Sequence, residues 1–173
     1  MDDMDKEHII SYYEESTPYY KFLWSNKGGS NGFHYGIWEK DTKTLGEAVI
    51  NTNRFLATAA GISADEKVLD AGCGIGGSSM WLAETIGADV TGITLVEKHA
   101  KIASLRAAKR GLSSKAHFLV ADYTATPFPD NSFDVVWAIE SACHAEPKIA
   151  FLKEALRILK PNGRLVVADG FLF

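Results

Sequence analysis

The run Asp70-Ala71-Gly72-Cys73-Gly74-Ile75-Gly76-Gly77 constrains the fold of this chain more than any other feature. It follows the short apolar stretch Lys67-Val68-Leu69 and precedes Met80-Trp81-Leu82-Ala83, which reads as helix, so the glycines occupy a strand-to-helix turn. Glycine in such a turn reaches backbone conformations closed to other residues and lets a ligand approach the main chain closely. The amides that open the following helix then face that ligand.

The strand-turn-helix unit recurs downstream. Val90-Thr91-Gly92-Ile93-Thr94-Leu95 reads as a second strand, residues 98–110 as a helix ended by Gly111, and His117-Phe118-Leu119-Val120-Ala121 as a third strand. Phe133 through Ile139 form the fourth, residues 149–159 another helix, and Arg164-Leu165-Val166-Val167-Ala168 the fifth, after Gly163. This alternation predicts an α/β fold, a doubly wound, mostly parallel sheet with helices on both faces.

Upstream the pattern differs. Tyr12, Tyr13, Tyr19, Tyr20, Phe22 and Trp24 are too closely spaced for one simple helical stripe, and one or two short helices are expected. A turn-rich run near Gly28 leads into Phe33-His34-Tyr35-Gly36-Ile37-Trp38, and apolar residues from Leu45 to Ala60 have helical spacing, with Gly61 at the helix end. The expected organisation is a helical, aromatic lid segment over residues 1–60, packed on a core over residues 61–173.

Bulk properties narrow the function. The chain has 173 residues with 46% hydrophobic content, enough for one domain. A net charge of -4 offers no basic field for a nucleic-acid backbone, so a small-molecule partner is expected. Cys73 and Cys143 stand alone, without the spacing of a zinc site or a disulfide framework, and no metal is expected. The acidic start Met1-Asp2-Asp3-Met4-Asp5 is unlike a leader, and no apolar run approaches the roughly 18 residues of a membrane span, so a soluble cytoplasmic protein is expected.

Gly72, Gly74 and Gly77 also satisfy the dinucleotide fingerprint G-x-G-x-x-G, so the glycines alone leave a nicotinamide enzyme open. Asp70 weighs against it: a carboxylate there repels a pyrophosphate but suits the ammonium of a methionine moiety. With Asp70 included, Val68 through Gly76 resembles the first motif of the class I S-adenosylmethionine-dependent methyltransferases. Val120-Ala121-Asp122-Tyr123, Pro127 through Asp134 and Leu156 through Gly163 extend the resemblance over residues 67–168. It implies a Rossmann-like methyltransferase fold, S-adenosylmethionine as cofactor and S-adenosylhomocysteine as product.

Gly92-Ile93-Thr94-Leu95 looks like the branch holding tocopherol and sterol C-methyltransferases and, more distantly, cyclopropane fatty acid synthases. Many other members carry an acid at Thr94 for the ribose hydroxyls; here the resemblance shifts that contact to Thr94, Leu95 and His99. It further implies cofactor contacts from Asp70, Gly72, Cys73, Gly74 and Gly76, an adenine contact from Asp122 and Tyr123, and a role for Glu140 near the donor. Glu140 and His144, leaving the fourth strand, are the expected catalytic pair, His144 as proton acceptor. Tyr20, Trp24, Phe33 and Tyr35 resemble an aromatic segment that meets the acceptor, the alternative being that they only cover a core.

The resemblance also sets an expectation about the end of the chain. Relatives follow the fifth strand with a further helix and an antiparallel strand pair, whereas this chain stops at Gly170-Phe171-Leu172-Phe173. A fold truncated after strand five leaves an apolar edge, which predicts homodimerisation through it. Methyl transfer to a small acceptor by in-line displacement is the expected function. A cofactor-binding fragment without turnover, or an NAD-dependent oxidoreductase, are the alternatives.

Overall fold

The computed structural model describes residues 3–20 and 32–170. Val68 and Leu69, in β1 (Lys67–Ala71), are both almost fully buried although neighbouring strand residues face opposite sides. A strand buried on both faces requires a layer on each, and the two cores show what supplies them. On one side Val68, Val90, Val135 and Trp137 pack with Met80, Leu82 and Ala107. These come from α3 (Gly77–Trp81), which continues as a π-helical turn over Leu82–Ile86, and from α4 (Glu97–Lys109). On the other side Leu69, Ile93, Val136 and Ala138 pack with Phe151, Ala155 and Ile158 of α5 (Lys148–Ile158).

The remaining strands are β2 (Asp89–Thr94), β3 (Ala116–Val120), β4 (Phe133–Ile139) and β5 (Leu159–Ala168). All pairs are parallel, in the order β3-β2-β1-β4-β5. The expected α/β class, parallel sheet and helical N-terminal segment are therefore all present. The chain grows outward from β1 to β3, then crosses back to place β4 on the other side of β1. Connections diverge above and below the sheet at that point, leaving a crevice at the carboxyl ends of β1 and β4, where ligands bind in open α/β sheets.

Two elements differ from expectation. The fifth strand begins at Leu159, directly at the end of α5, and not after Gly163: Phe133 pairs with Leu159 but Val135 with Arg164. The intervening residues bulge outward because Pro161 has no amide to donate and Asn162 sits at φ +66°. The N-terminal segment forms a single helix of 18 residues, α1 (Asp3–Tyr20), longer than the one or two short helices expected. Its inward stripe is Lys6, Ile9, Tyr13 and Thr17, a helical spacing that mixed polarity hides.

The helix α2 (Leu45–Ala59) follows the expected bounds. The Thr44 hydroxyl accepts the Glu47 amide at 3.2 Å, and the Glu47 carboxylate accepts the Lys43 amide at 2.7 Å, so two otherwise orphaned donors at its start are satisfied. Gly61, at φ +60°, turns the chain away just past its end. No helix among the described residues is long and apolar enough to cross a membrane.

Candidate functional site

The glycine turn stands at the crevice. Gly72, Gly74 and Gly76 lie at φ +91°, +52° and +82°, conformations that side chains resist. The amides of Gly72 and Cys73 both donate to the Ile93 carbonyl, at 3.0 and 2.9 Å, tying the turn to the end of β2. A Cβ on Gly72 would lie 2.4 Å from Cβ of Ser141, so the loops leaving β1 and β4 touch there without room for a methyl group. Ser141 reinforces the junction by donating its hydroxyl to the Ala71 carbonyl at 2.6 Å.

Asp70 lies at the floor of this turn, buried, with its carboxylate accepting the Ser79 hydroxyl at 2.5 Å. Burial pushes its pKa up to about 6, against the lowering effect of the Ser79 hydrogen bonds. A buried carboxylate with one hydroxyl partner is under-compensated, and an arriving cation would relieve it.

Above the turn opens an inner cleft at the carboxyl ends of β1, β2 and β4. Of the residues assigned to the cofactor by resemblance, Asp70, Gly72, Cys73, Gly74, Thr94, Leu95, His99, Tyr123 and Glu140 all line it. Gly76 is off the wall: its Cβ position is filled by the Phe118 ring at 2.8 Å, so it serves packing. Asp122 is off the wall too. Its Oδ1 accepts the Thr124 amide and hydroxyl, both at 2.7 Å, and its Oδ2 faces Lys6 of α1 at 3.1 Å. Burial works to raise the Asp122 pKa, but these partners outweigh it and hold the group below the usual carboxylate range. Tyr123 anchors the far wall by donating its hydroxyl to the Ser141 carbonyl at 2.9 Å.

The N-terminal residues form the roof. Ile9 and Tyr13 of α1 line the cleft, Thr17 meets the buried His99 ring with 2.6 Å between Oγ1 and Nε2, and the Tyr13 hydroxyl lies 2.8 Å from Nε2 of His144. Phe33 and His34 also line it, with the Phe33 ring set edge-on to His99. His34 is buried, with Nδ1 2.9 Å from the Tyr35 carbonyl and Nε2 3.2 Å from the Ser78 hydroxyl. Neither Tyr13, Thr17 nor His34 was singled out from the sequence, because their partners lie 44 to 131 residues away. The only available signal was their position among the aromatic clusters. The side chains of Tyr20 and Trp24 lie outside the described residues.

A second, wider cleft of about 730 Å³ adjoins the first, and Tyr13, Phe33, Glu140 and His144 line both. Tyr35, Ile37, Phe55 and Leu56 give the outer cleft an apolar wall, with Asp169 at its other side. Glu140 stands between the two at φ +48°, its carboxylate accepting the Tyr35 amide at 2.7 Å. Its pKa is raised, by burial first and by nearby Asp169 second, with the Tyr35 hydrogen bond acting against them. Burial lowers the His144 pKa, so its ring is neutral at pH 7 and able to accept a proton. Burial holds the Cys73 thiol well above its usual range and pushes Cys143 up to about 11, so neither is a thiolate nucleophile at pH 7. Among the described residues no group of three or more His, Cys, Asp or Glu side chains is placed to hold a metal ion.

Residues 69–167 match the family model described as a methyltransferase domain. The chain is 36% identical over 174 residues to the chloroplastic tocopherol O-methyltransferase of Arabidopsis thaliana, across 94% of this chain and 49% of that protein. It is 38% identical over 152 residues to a sterol 24-C-methyltransferase of Gibberella zeae, across 88% of this chain and 38% of the relative. The crystal structure of the [4+2]-cyclase SpnF aligns with a TM-score of 0.87 at 30% identity, covering 94% of this chain and 59% of that one. The chain thus spans about half the length, or less, of these curated relatives.

Proposed function

Because this chain belongs to the class I S-adenosylmethionine-dependent methyltransferases, close to the tocopherol and sterol enzymes, we propose that it transfers a methyl group to a small-molecule acceptor by in-line displacement. The observation that carries the reading is the shared wall: an inner cleft built on the glycine turn and an outer apolar cleft meet at Tyr13, Phe33, Glu140 and His144. In-line transfer needs the reactants roughly 3–3.5 Å apart, so the acceptor would reach the donor through the junction that these four residues frame, without a covalent step by the protein.

S-adenosylmethionine supplies an electrophilic methyl group on a sulfonium. The chain's residues fit that molecule: the turn presents backbone where side chains are excluded, and Asp70 offers a buried carboxylate, compensated only by Ser79, to the ammonium of its tail. Thr94, Leu95 and Tyr123 border the space for the nucleoside. Glu140, oriented by the Tyr35 amide, places negative charge at the partition, where a sulfonium is most in need of it. His144, neutral and hydrogen-bonded to Tyr13, accepts the proton that an acceptor hydroxyl or amine gives up. The rings of Phe33, Tyr35 and Phe55, with Leu56, give the outer cleft an apolar lining for an acceptor.

Cofactor binding without turnover is the alternative reading. An NAD-dependent reading is disfavoured by Asp70, whose charge opposes a pyrophosphate at the turn. Calorimetric titration with S-adenosylmethionine, S-adenosylhomocysteine and NAD separates the cofactors. Radiolabelled methyl transfer to a metabolite mixture separates enzyme from binding unit; binding of NAD alone would sink the reading.

A further inference from the structure

We propose that the acceptor is an amine: a molecule with an apolar, ring-bearing body that lies in the outer cleft with its ammonium against Asp169 and is methylated on nitrogen. The inference rests on the methyl-transfer reading above and names its acceptor. Among the described residues lining the outer cleft the formally charged ones are Glu140 and Asp169, both acidic, and there is no lysine or arginine. Neither carboxylate takes part in an ion pair among the described residues. Glu140 accepts the Tyr35 amide at 2.7 Å, and Asp169 accepts the Cys143 and Gly170 amides at 2.7 and 2.9 Å, with the neutral Cys143 thiol beside it. Lys148 stands near the same loop, but its ammonium donates to the Cys143 and Ala145 carbonyls, at 2.8 and 2.7 Å, and is off the cleft wall.

Asp169 raises the pKa of Glu140, as two carboxylates do when they share a space without a counter-ion. The donor's sulfonium answers Glu140, which leaves the Asp169 charge for the acceptor to meet. A negative charge in that position repels a phosphate or a carboxylate and attracts an ammonium. The opposite wall specifies the body. Tyr35 is 78% and Phe55 60% exposed, so these rings do not serve to cover a core, and with Ile37 and Leu56 they give the cleft an apolar face that a ring-bearing molecule can cover. Aromatic faces also attract cations, so this wall and Asp169 favour the same head group.

No further reactant is needed. The ammonium gives one proton to the His144 ring, at Nδ1, because the Tyr13 hydroxyl meets Nε2 at 2.8 Å. The nitrogen lone pair thus freed forms the bond to the methyl carbon as the methyl–sulfur bond breaks, the electron pair of that bond staying on sulfur. The methylated nitrogen is again an ammonium, so Asp169 keeps a counter-ion before and after transfer, and the proton on His144 passes to solvent. Burial lowers the His144 pKa and Asp169 raises it, so the carboxylate that anchors the ammonium also favours the imidazolium formed in the step. A neutral alcohol gains no such anchor, and an acid is repelled by it.

The test is titration calorimetry of the chain saturated with S-adenosylhomocysteine, with three probes that share one ring system and differ in the head: 2-naphthylmethylamine, 2-naphthylmethanol and 2-naphthoate. The amine is expected to bind about tenfold or more tighter than the alcohol, and the acid weakest of the three. Asp169→Asn keeps an acceptor oxygen without the charge, and is expected to bring the amine within about threefold of the alcohol while leaving the alcohol and S-adenosylhomocysteine within about twofold of their original affinities. In the labelled methyl-transfer assay, the products separated from the donor are expected among the bases that a cation exchanger holds. An alcohol or acid bound as tightly as the amine, no binding by any of the three, a preference that survives D169N, or label confined to neutral or acidic products would overturn the inference. If D169N fails to fold, the three probes on the unaltered chain decide it. Absence of any labelled product, or failure of S-adenosylhomocysteine to bind, is a different result and overturns the methyl-transfer reading itself.

Discussion

Replacing Gly72 by alanine is expected to be among the most damaging single-methyl changes in this chain, and its cost can be separated into two parts. The first is conformational: an L-residue at φ +91° is strained by about 1–2 kcal/mol, less a few tenths to 1 kcal/mol regained because alanine restricts the unfolded chain. The second is steric. The new Cβ would lie 2.4 Å from Cβ of Ser141, an atom fixed to the backbone and unable to swing away. Relief requires moving the loop after β4, at about 1–3 kcal/mol or more, and threatens the Ser141 bond to the Ala71 carbonyl, worth about 1 kcal/mol. Gly61 provides the comparison, since at φ +60° it has nothing within 4 Å of a Cβ and carries only the first part. Gly72→Ala is therefore expected to lie about 2–4 kcal/mol below Gly61→Ala, or roughly 4–16 °C in melting temperature for a domain of this size. Thermal and urea unfolding of both variants read the difference directly. Near-equal melting temperatures would refute the claim that the two loops meet without slack, and with it the geometry assigned to the cleft floor.

Asp70→Asn is expected to weaken S-adenosylhomocysteine about 10- to 100-fold in calorimetry, the value of one charge-assisted hydrogen bond. Because burial lifts Asp70 to about 6, the folded chain holds a proton between about pH 4 and 6 that the unfolded chain has shed. Its contribution to stability thus falls as pH rises through 6, by on the order of 2–3 kcal/mol, and urea unfolding of Asp70→Asn should lack that slope. His144→Ala is expected to lower labelled methyl transfer about 100-fold or more while leaving S-adenosylhomocysteine affinity within a few-fold; unchanged turnover would remove its proposed role.

The parts of the fold that were legible in the sequence are those whose determinants are local. Val68-Leu69, then Gly72 with its obligatory positive φ, then Met80 and Leu82 specify strand, turn and helix within about fifteen residues. The start of β5 was not legible, because Pro161-Asn162-Gly163 carries every mark of a turn before a strand and none of a bulge inside one. The inward stripe of α1 was obscured for a related reason: Lys6 and Thr17 face the core side to meet Asp122 and His99, so polarity does not report burial there. Asp122 stands directly after β3, as its motif suggests, yet Lys6 and Thr124 draw its carboxylate away from the cleft, and neither partnership could be inferred without the position of α1.

The same contrast separates the inner cleft from the partition. Asp70 lies in β1, and the glycine turn and Tyr123 follow closely on β1 and β3, so strand pairing largely fixes their places and a motif is enough to find them. The partition between the clefts is assembled otherwise: Tyr13 from α1, Phe33 and the Tyr35 amide from the segment before α2, and Glu140 and His144 from the loop after β4. None of these contacts is a backbone ladder, and each depends on the N-terminal residues docking over the carboxyl ends of β1 and β4. A chain can then keep the inner cleft while the partition changes with a few substitutions in α1 and near Tyr35. The fold thus places the inner cleft at the strand-order switch, where it needs only the sheet, while the partition needs the docked segment as well.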